Sequence, residues 1–200
     1  MRKGQLIVMS GPSGVGKSTI VKHVMELHPN LRFSVSATTR EPRPSETDGV
    51  NYYFVSRERF EEMIRNDELL EHAEYVGNCY GTPAKPIDEA LELGYDILLD
   101  IEVQGAMQVK LRRPDATFVF IAAPSFAELE RRLTGRGDTA PEKIAKRLDT
   151  ARNEYKVAQH YDYLIISETD QSEKAAHELH SIIEAAHCRT QNRLDYLKED

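Results

Sequence analysis

The sequence predicts an α/β fold in which five short parallel strands form one sheet with helices packed on both faces. Three observations carry this. Apolar runs of strand length alternate with helix-spaced apolar stripes along most of the 200 residues. The first of these runs passes through a glycine-rich loop directly into a helix, as a β-α-β unit begins. The rhythm breaks only between about residues 36 and 85, which marks an inserted lobe.

Residues 5–10 (Q-L-I-V-M-S) read as a buried strand, and 19–27 as a helix with Ile20, Val21, Val24 and Leu27 at helical spacing. Residues 31–36 read as the next strand. Within the inserted section, 40–49 are turn-rich, 51–56 extended, and 57–66 helical with Phe60, Met63 and Ile64 on one side. Residues 71–80 alternate weakly about a turn at Gly77-Asn78. The core pattern then resumes with a helix over 86–93 that Gly94 stops. Residues 96–100 form a buried strand ending in a carboxylate, 104–112 a helix that ends before Pro114, and 116–122 another strand. Ser125 with Glu128 makes a capping box for a helix reaching Leu133. Gly135-Arg136-Gly137-Asp138 breaks that helix, and Thr139 with Glu142 caps a second one running to about His160. Residues 161–166 supply the last strand. Asp170 with Glu173 caps a final helix whose apolar face is Ala175, Ala176, Leu179, Ile182, Ile183 and Ala186.

The glycine-rich loop is the most informative stretch. Gly11-Pro12-Ser13-Gly14-Val15-Gly16-Lys17-Ser18 fits the phosphate-binding pattern G-x-x-x-x-G-K-[ST] without a mismatch. Its glycines let successive N–H groups converge on one anion, and the following helix adds its positive dipole end. Lys17 then serves the outer phosphates and Ser18 offers a hydroxyl to Mg²⁺. This is a nucleoside triphosphate site. Asp100, at the end of a buried strand, is placed to hold waters around the Mg²⁺. Residues 126–152 hold seven Lys/Arg against five Asp/Glu in a chain of net charge −7. The two helices around Gly135-Arg136-Gly137 therefore read as a lid whose Arg132, Arg136 and Arg147 close over a transferring phosphate. Arg40-x-x-Arg43, held between prolines, is stiff and suited to a bidentate grip on a monophosphate. An anionic phosphate acceptor needs no general base, and no serine nucleophile elbow or paired-carboxylate hydrolase signature is present.

Composition narrows the classes further. With 40% hydrophobic and 30% charged residues the chain reads as a soluble globular protein. The acidic balance disfavours nonspecific nucleic-acid binding. The apolar run after Met1 is too short for a signal peptide, and nothing approaches a membrane span. Cys79 and Cys188 stand 109 residues apart without metal-type spacing, so free thiols in a reducing cytoplasm are expected.

Several ordered motifs resemble guanylate kinase: F-S-V-S-A-T-T-R-E-P-R from Phe33, D-G-V-N-Y-Y-F from Asp48, Glu71-His72-Ala73, Tyr80-Gly81-Thr82-Pro83, D-I-E-V-Q-G from Asp100 and R-L-T-G-R-G from Arg132. The likeness covers residues 5 to about 185. It implies transfer of a phosphoryl group from ATP to GMP with Mg²⁺, by a monomer or homodimer. It also implies a three-layer P-loop kinase core with a five-stranded parallel sheet (1–35, 86–125 and 151–200), an inserted mixed GMP-binding lobe (36–85) and a helical lid (126–150). By position, Arg40, Arg43, Tyr52 and Tyr80 hold the GMP phosphate, and Ser36, Glu71 and Thr82 face the guanine, with Glu102 beside them. Adjacent N1–H and N2–H donors of guanine suit a carboxylate, whereas adenine leaves it unpaired. A catalytically silent phosphopeptide-binding module of the same family is the second reading, and a kinase for another monophosphate the third. The intact Gly16, Lys17 and Ser18 disfavour the silent module, and Glu71 with Ser36 the other kinase. Ser167-Glu168 replaces the family's usual Asn-Asp near the donor base, which leaves donor-base selectivity open.

His177, His180 and His187 fall within about 80° of arc on an ideal helix, next to Cys188. The H-E-L-H run lacks the H-E-x-x-H spacing, so these residues read as the polar side of a terminal helix and not as a zinc site. Residues 189–200 read as a charged tail.

Overall fold

The computed structural model describes residues 3–135 and 141–193. Its elements, in chain order, are β1 (Leu6–Ser10), α1 (Lys17–Leu27), β2 (Leu31–Phe33), β3 (Ala37–Thr38), β4 (Tyr53–Phe54), α2 (Arg57–Arg65), β5 (Leu69–Tyr75), β6 (Asn78–Pro83), α3 (Ala84–Glu92), β7 (Asp96–Asp100), α4 (Val103–Arg112), β8 (Thr117–Ala122), α5 (Phe126–Thr134), α6 (Pro141–Val157), β9 (Tyr163–Ile166) and α7 (Ser172–Ala186). Five strands form an all-parallel sheet in the order β2-β7-β1-β8-β9. The expected fold class is borne out.

The central strands are buried on both faces, and alternation sorts their side chains into two cores. Ile7, Met9, Leu98, Val119 and Ile121 pack with Ile20 and Val24 of α1, Leu129 and Leu133 of α5, and the apolar stripe of α7. Leu6, Val8, Ile97, Leu99 and Phe118 face the other way, onto Ile87 and Leu91 of α3 and Ala106 and Val109 of α4. Period-2 side chains between two helical layers give the three-layer arrangement.

A second sheet, in the order β4-β3-β6-β5, mixes one parallel pairing with two antiparallel ones. It covers its own small core of Ala37, Phe60, Met63, Leu69 and Cys79. The sheet is tied to the core through α4. The Gln108 amide accepts from the His72 N–H at 3.1 Å and donates to the His72 carbonyl at 3.0 Å. One side chain thereby satisfies a β5 residue as a further strand would.

Three local expectations need correction. The strand expected over 31–36 ends at Phe33: Ser34 makes a last bond to β7, its N–H donating to the Leu98 carbonyl at 3.1 Å, and the chain then passes to β3 of the second sheet. The hairpin turn lies one residue earlier than expected. Tyr75 pairs with Asn78, and Val76 and Gly77 are the two loop residues, at φ of 50° and 75°. Asp170 does not cap α7: it stands at φ 56°, and the cap position belongs to Gln171 without a side-chain bond. The Ser125 cap of α5 is formed, its hydroxyl accepting from the Glu128 N–H at 3.1 Å. Thr139 lies outside the described residues.

Leu129 of α5 is fully buried against the same core as β1 and β8. Leu129→Ala is expected to lower the unfolding free energy in a urea titration by about 2–5 kcal/mol. A loss under about 1 kcal/mol would show that α5 does not dock on the core.

Candidate active site

The phosphate loop leaves the C-terminal end of β1 and enters α1 through Gly16, which takes a left-handed conformation at φ 93° as the helix N-cap. Few residues with a side chain adopt it. Gly11 answers a different demand, since a Cβ there would lie 2.2 Å from the Ile121 carbonyl oxygen of β8. Pro12 and Val15 are buried, while Ser13 and Ser18 are exposed at the mouth of the loop. Lys17 folds back across it, its ammonium donating to the Gly11 carbonyl at 2.6 Å. The loop thus presents an α-helix N-terminus, a hydroxyl and a tethered cation on one side.

Asp100 ends β7 beside Met9 of β1. Burial raises its pKa, and the Lys17 charge acts against that rise. Two further carboxylates stand close by. Glu154 on α6 is likewise raised by burial, with Lys17 lowering it and Glu102 raising it. Glu102 is the N-cap residue of α4. The Ser18 hydroxyl and the Asp100 carboxylate are hard oxygen donors next to a phosphate cradle, which fits Mg²⁺ better than a softer metal. No sequence motif singles out Glu154. It lies mid-helix in an ordinary charged stretch, and only the packing of α6 brings it to Lys17.

Glu71 is buried at 7% exposure on β5 and accepts from the Thr82 hydroxyl at 2.6 Å. Burial pushes its pKa up, the Thr82 bond pulls it down, and the nearby Glu102 charge pushes it up again. Gly105 of α4 leaves the room this carboxylate needs, as a Cβ there would stand 2.7 Å from Glu71 Oε2. A chain of electrostatic neighbours runs from Glu71 through Glu102 and Glu154 to Lys17.

Arg40 lies over the rings of Tyr52 and Phe54, 5.5 and 5.8 Å from their centroids. Tyr52 in turn meets Tyr80 edge-on at 6.2 Å. The guanidinium donates to both Glu46 carboxylate oxygens, at 2.8 and 2.9 Å. That pairing is the main reason the Arg40 pKa is raised. Glu46 also accepts from the Arg43 N–H at 2.8 Å, while the Arg43 side chain is exposed. Glu46 is a positioning residue that the turn-rich composition of 40–49 concealed. Ser36 is half-buried just before β3, its carbonyl accepting from the Tyr53 N–H at 2.9 Å.

The arginines expected in a lid divide three ways. Arg132 is held down: it donates to Glu128 at 2.7 Å, to the Ser167 carbonyl at 2.8 Å and to the Val15 carbonyl of the phosphate loop at 3.4 Å. Arg147 is exposed on α6, and Arg136 lies outside the described residues. Ser167 is buried beside the loop, its hydroxyl 3.4 Å from the position of a Cβ on Gly16. Glu168 pairs with Lys174 at 2.9 Å.

Comparison with known proteins gives the family. The sequence model of the family described as guanylate kinase matches residues 3–186. A guanylate kinase of Lactococcus lactis is 51% identical over 187 residues, covering 94% of this chain and 90% of its own. That of Halalkalibacterium halodurans is 48% identical over 193 residues, covering 96% and 94%. The crystal structure of guanylate kinase from Anaplasma phagocytophilum superposes with a TM-score of 0.71 at 34% identity, covering 94% of this chain and 89% of that one. With a parallel core, a phosphate loop and a second sheet carrying a buried carboxylate, the chain belongs to the guanylate kinase family.

Proposed function

We propose that this chain transfers the γ-phosphoryl group of ATP to GMP, and to dGMP, giving ADP and the guanosine diphosphate. The observation that carries the reading is the buried Glu71, bonded to Thr82 and joined electrostatically through Glu102 and Glu154 to Lys17. Glu71 accepts the N1–H and N2–H of guanine, and Ser36 and Thr82 complete the polar wall around the base. Arg40, Arg43, Tyr52 and Tyr80 grip the monophosphate, with Glu46 bonded to the Arg40 guanidinium over the Tyr52 ring.

A phosphate oxygen of GMP attacks the γ-phosphorus as the bond to the ADP oxygen breaks, and no proton has to be removed first. The residues of this chain supply position and charge. Residues 11–18 cradle the donor phosphates, Lys17 follows the transferring group, and Arg132, Arg136 and Arg147 neutralise charge from the 126–150 side. Ser18 and Asp100 would hold Mg²⁺, Asp100 through water. When bound, that ion neutralises charge on the donor phosphates. The division into a core, an acceptor lobe over 36–85 and a lid over 126–150 belongs to the same proposal. Arg132 is then a fixed contact at the base of the lid, since its bonds join α5 to the phosphate loop. Cys79 and Cys188 are free thiols, in keeping with work in the cytoplasm. No helix among the described residues is long and apolar enough to cross a membrane.

An ADP-release assay across GMP, dGMP, AMP, CMP and UMP is expected to respond to the guanine acceptors alone. Equal turnover with AMP would reject the assignment, and no turnover with any acceptor would favour the silent phosphopeptide module. Lys17→Ala should lower kcat by about 10²-fold or more at unchanged fold. Full activity in that variant would remove Lys17 from the chemistry.

Glu71→Ala should lower kcat/KM for GMP and narrow its gap to AMP, so an unchanged gap would take Glu71 out of recognition. Arg40→Ala should mainly raise the KM for GMP, and an unaltered KM would exclude the phosphate clamp. The sign of the pH dependence follows from burial. The Glu71 pKa lies above the ordinary carboxylate range, and guanine needs the ionised form. GMP affinity should therefore fall on acidification, beginning at a higher pH than an exposed glutamate would give. Glu71→Gln should flatten that profile.

A further inference from the structure

Away from the phosphate loop, the C-terminal end of α1 meets α7 in a cluster of metal-ligating side chains. His28 is the C-cap residue of α1, and its Nδ1 lies 3.3 Å from His180 Nδ1 and 3.5 Å from Glu184 Oε1. His180 and Glu184 are four residues apart on α7 and therefore on one helix face. The sequence reading of His177, His180 and His187 as the polar side of a terminal helix needs correction on two counts. His187 is buried at 5% exposure, and His180 is turned toward a histidine more than a hundred residues away in the chain. That partner is invisible to spacing rules applied to α7 alone.

We propose that His28, His180 and Glu184 form a site for a single divalent transition-metal ion, with Zn²⁺ the best match. The distances suit this. Two ligands each about 2.0–2.1 Å from a tetrahedral Zn²⁺ stand about 3.4 Å apart, close to both separations measured from His28 Nδ1. The tautomer suits it as well. His28 Nε2 lies 2.8 Å from Asp96 Oδ2, and a carboxylate there takes the Nε2–H, leaving the Nδ1 lone pair to point at His180. A buried carboxylate behind a histidine is the usual outer support of a zinc-binding imidazole. Asp96 is itself held by the Gln5 N–H at 2.6 Å and by His187 Nε2 at 2.9 Å. The support is therefore rigid.

Access exists too. His28 and Glu184 line a surface cavity of ≈ 440 Å³, and His180 and Glu184 are less enclosed than His28. Two imidazoles and one carboxylate leave a fourth position for water. Bound there, the ion clasps the far end of α1 to α7, on the helix whose first residues belong to the phosphate loop.

The test uses the full chain, stripped of metal by chelation and free of nucleotide, titrated with Zn²⁺ in competition with a chromophoric chelator. Uptake of one equivalent is expected, with Co²⁺ giving the visible absorption of a tetrahedral site. His180→Ala should weaken Zn²⁺ binding by at least about tenfold, and Cys188→Ser should leave it unchanged. Glu184→Gln, an exposed position, gives a second reading should the histidine variant lose its fold, and the same tenfold loss is expected. No uptake by the wild-type chain, equal affinity in the ligand variants, or loss of binding in Cys188→Ser would each overturn the site.

Discussion

All five residues of β1 are buried, and strands on both sides are paired to it in parallel. A strand so enclosed can deliver function only at its end, where the chain must turn from sheet to helix in a few residues. The crowding there is severe. β8 runs so close to Gly11 that its carbonyl oxygen excludes a side chain, and Gly16 must take a left-handed conformation to start α1. The resulting loop exposes backbone N–H groups at a helix N-terminus, which is an anion site by construction. Everything placed around it, from Asp100 on the neighbouring strand to Glu154 on α6, is arranged relative to that fixed end.

The second sheet solves a different problem. A carboxylate buried on a thin four-stranded sheet is costly unless it is bonded, and the Thr82 hydroxyl offsets part of that cost for Glu71. Packing against α4 leaves room for it only because residue 105 is glycine, and the same helix sends Gln108 to hold β5 in place. The carboxylate proposed to recognise the acceptor and the docking of the second sheet therefore share one interface. Burial and the nearby Glu102 charge both raise the Glu71 pKa; in the proposed reaction the N–H donors of a guanine edge would offset that rise.

Much of this was legible in the sequence because it is local. The glycine spacing of residues 11–18, the apolar alternation of the core strands and the Ser125 cap each depend on a few consecutive residues. Motif resemblance added the placing of Arg40, Tyr52, Glu71, Tyr80 and Thr82. What stayed hidden depends on contacts between distant segments. Glu46 looks like any turn residue until it is seen gripping Arg40. Gln108 looks like a helix surface residue until it bonds β5. Glu154 needs α6 to be packed before it meets Lys17, and His180 needs α1. The capping pattern at Asp170 failed for another reason: the residue adopts a left-handed turn conformation, which aspartate tolerates, and hands the cap position to its neighbour.

The central claim is that a buried, ionised Glu71 selects the acceptor base. Carbon-13 NMR of the Glu71 side-chain carboxyl, titrated against pH with and without GMP, addresses it at the atom concerned. In the free protein the resonance should titrate above the ordinary glutamate range, and saturating GMP should move that titration downward as guanine N–H groups stabilise the anion. A Glu71 resonance that titrates identically in both states, or that moves upward with GMP, would contradict the account.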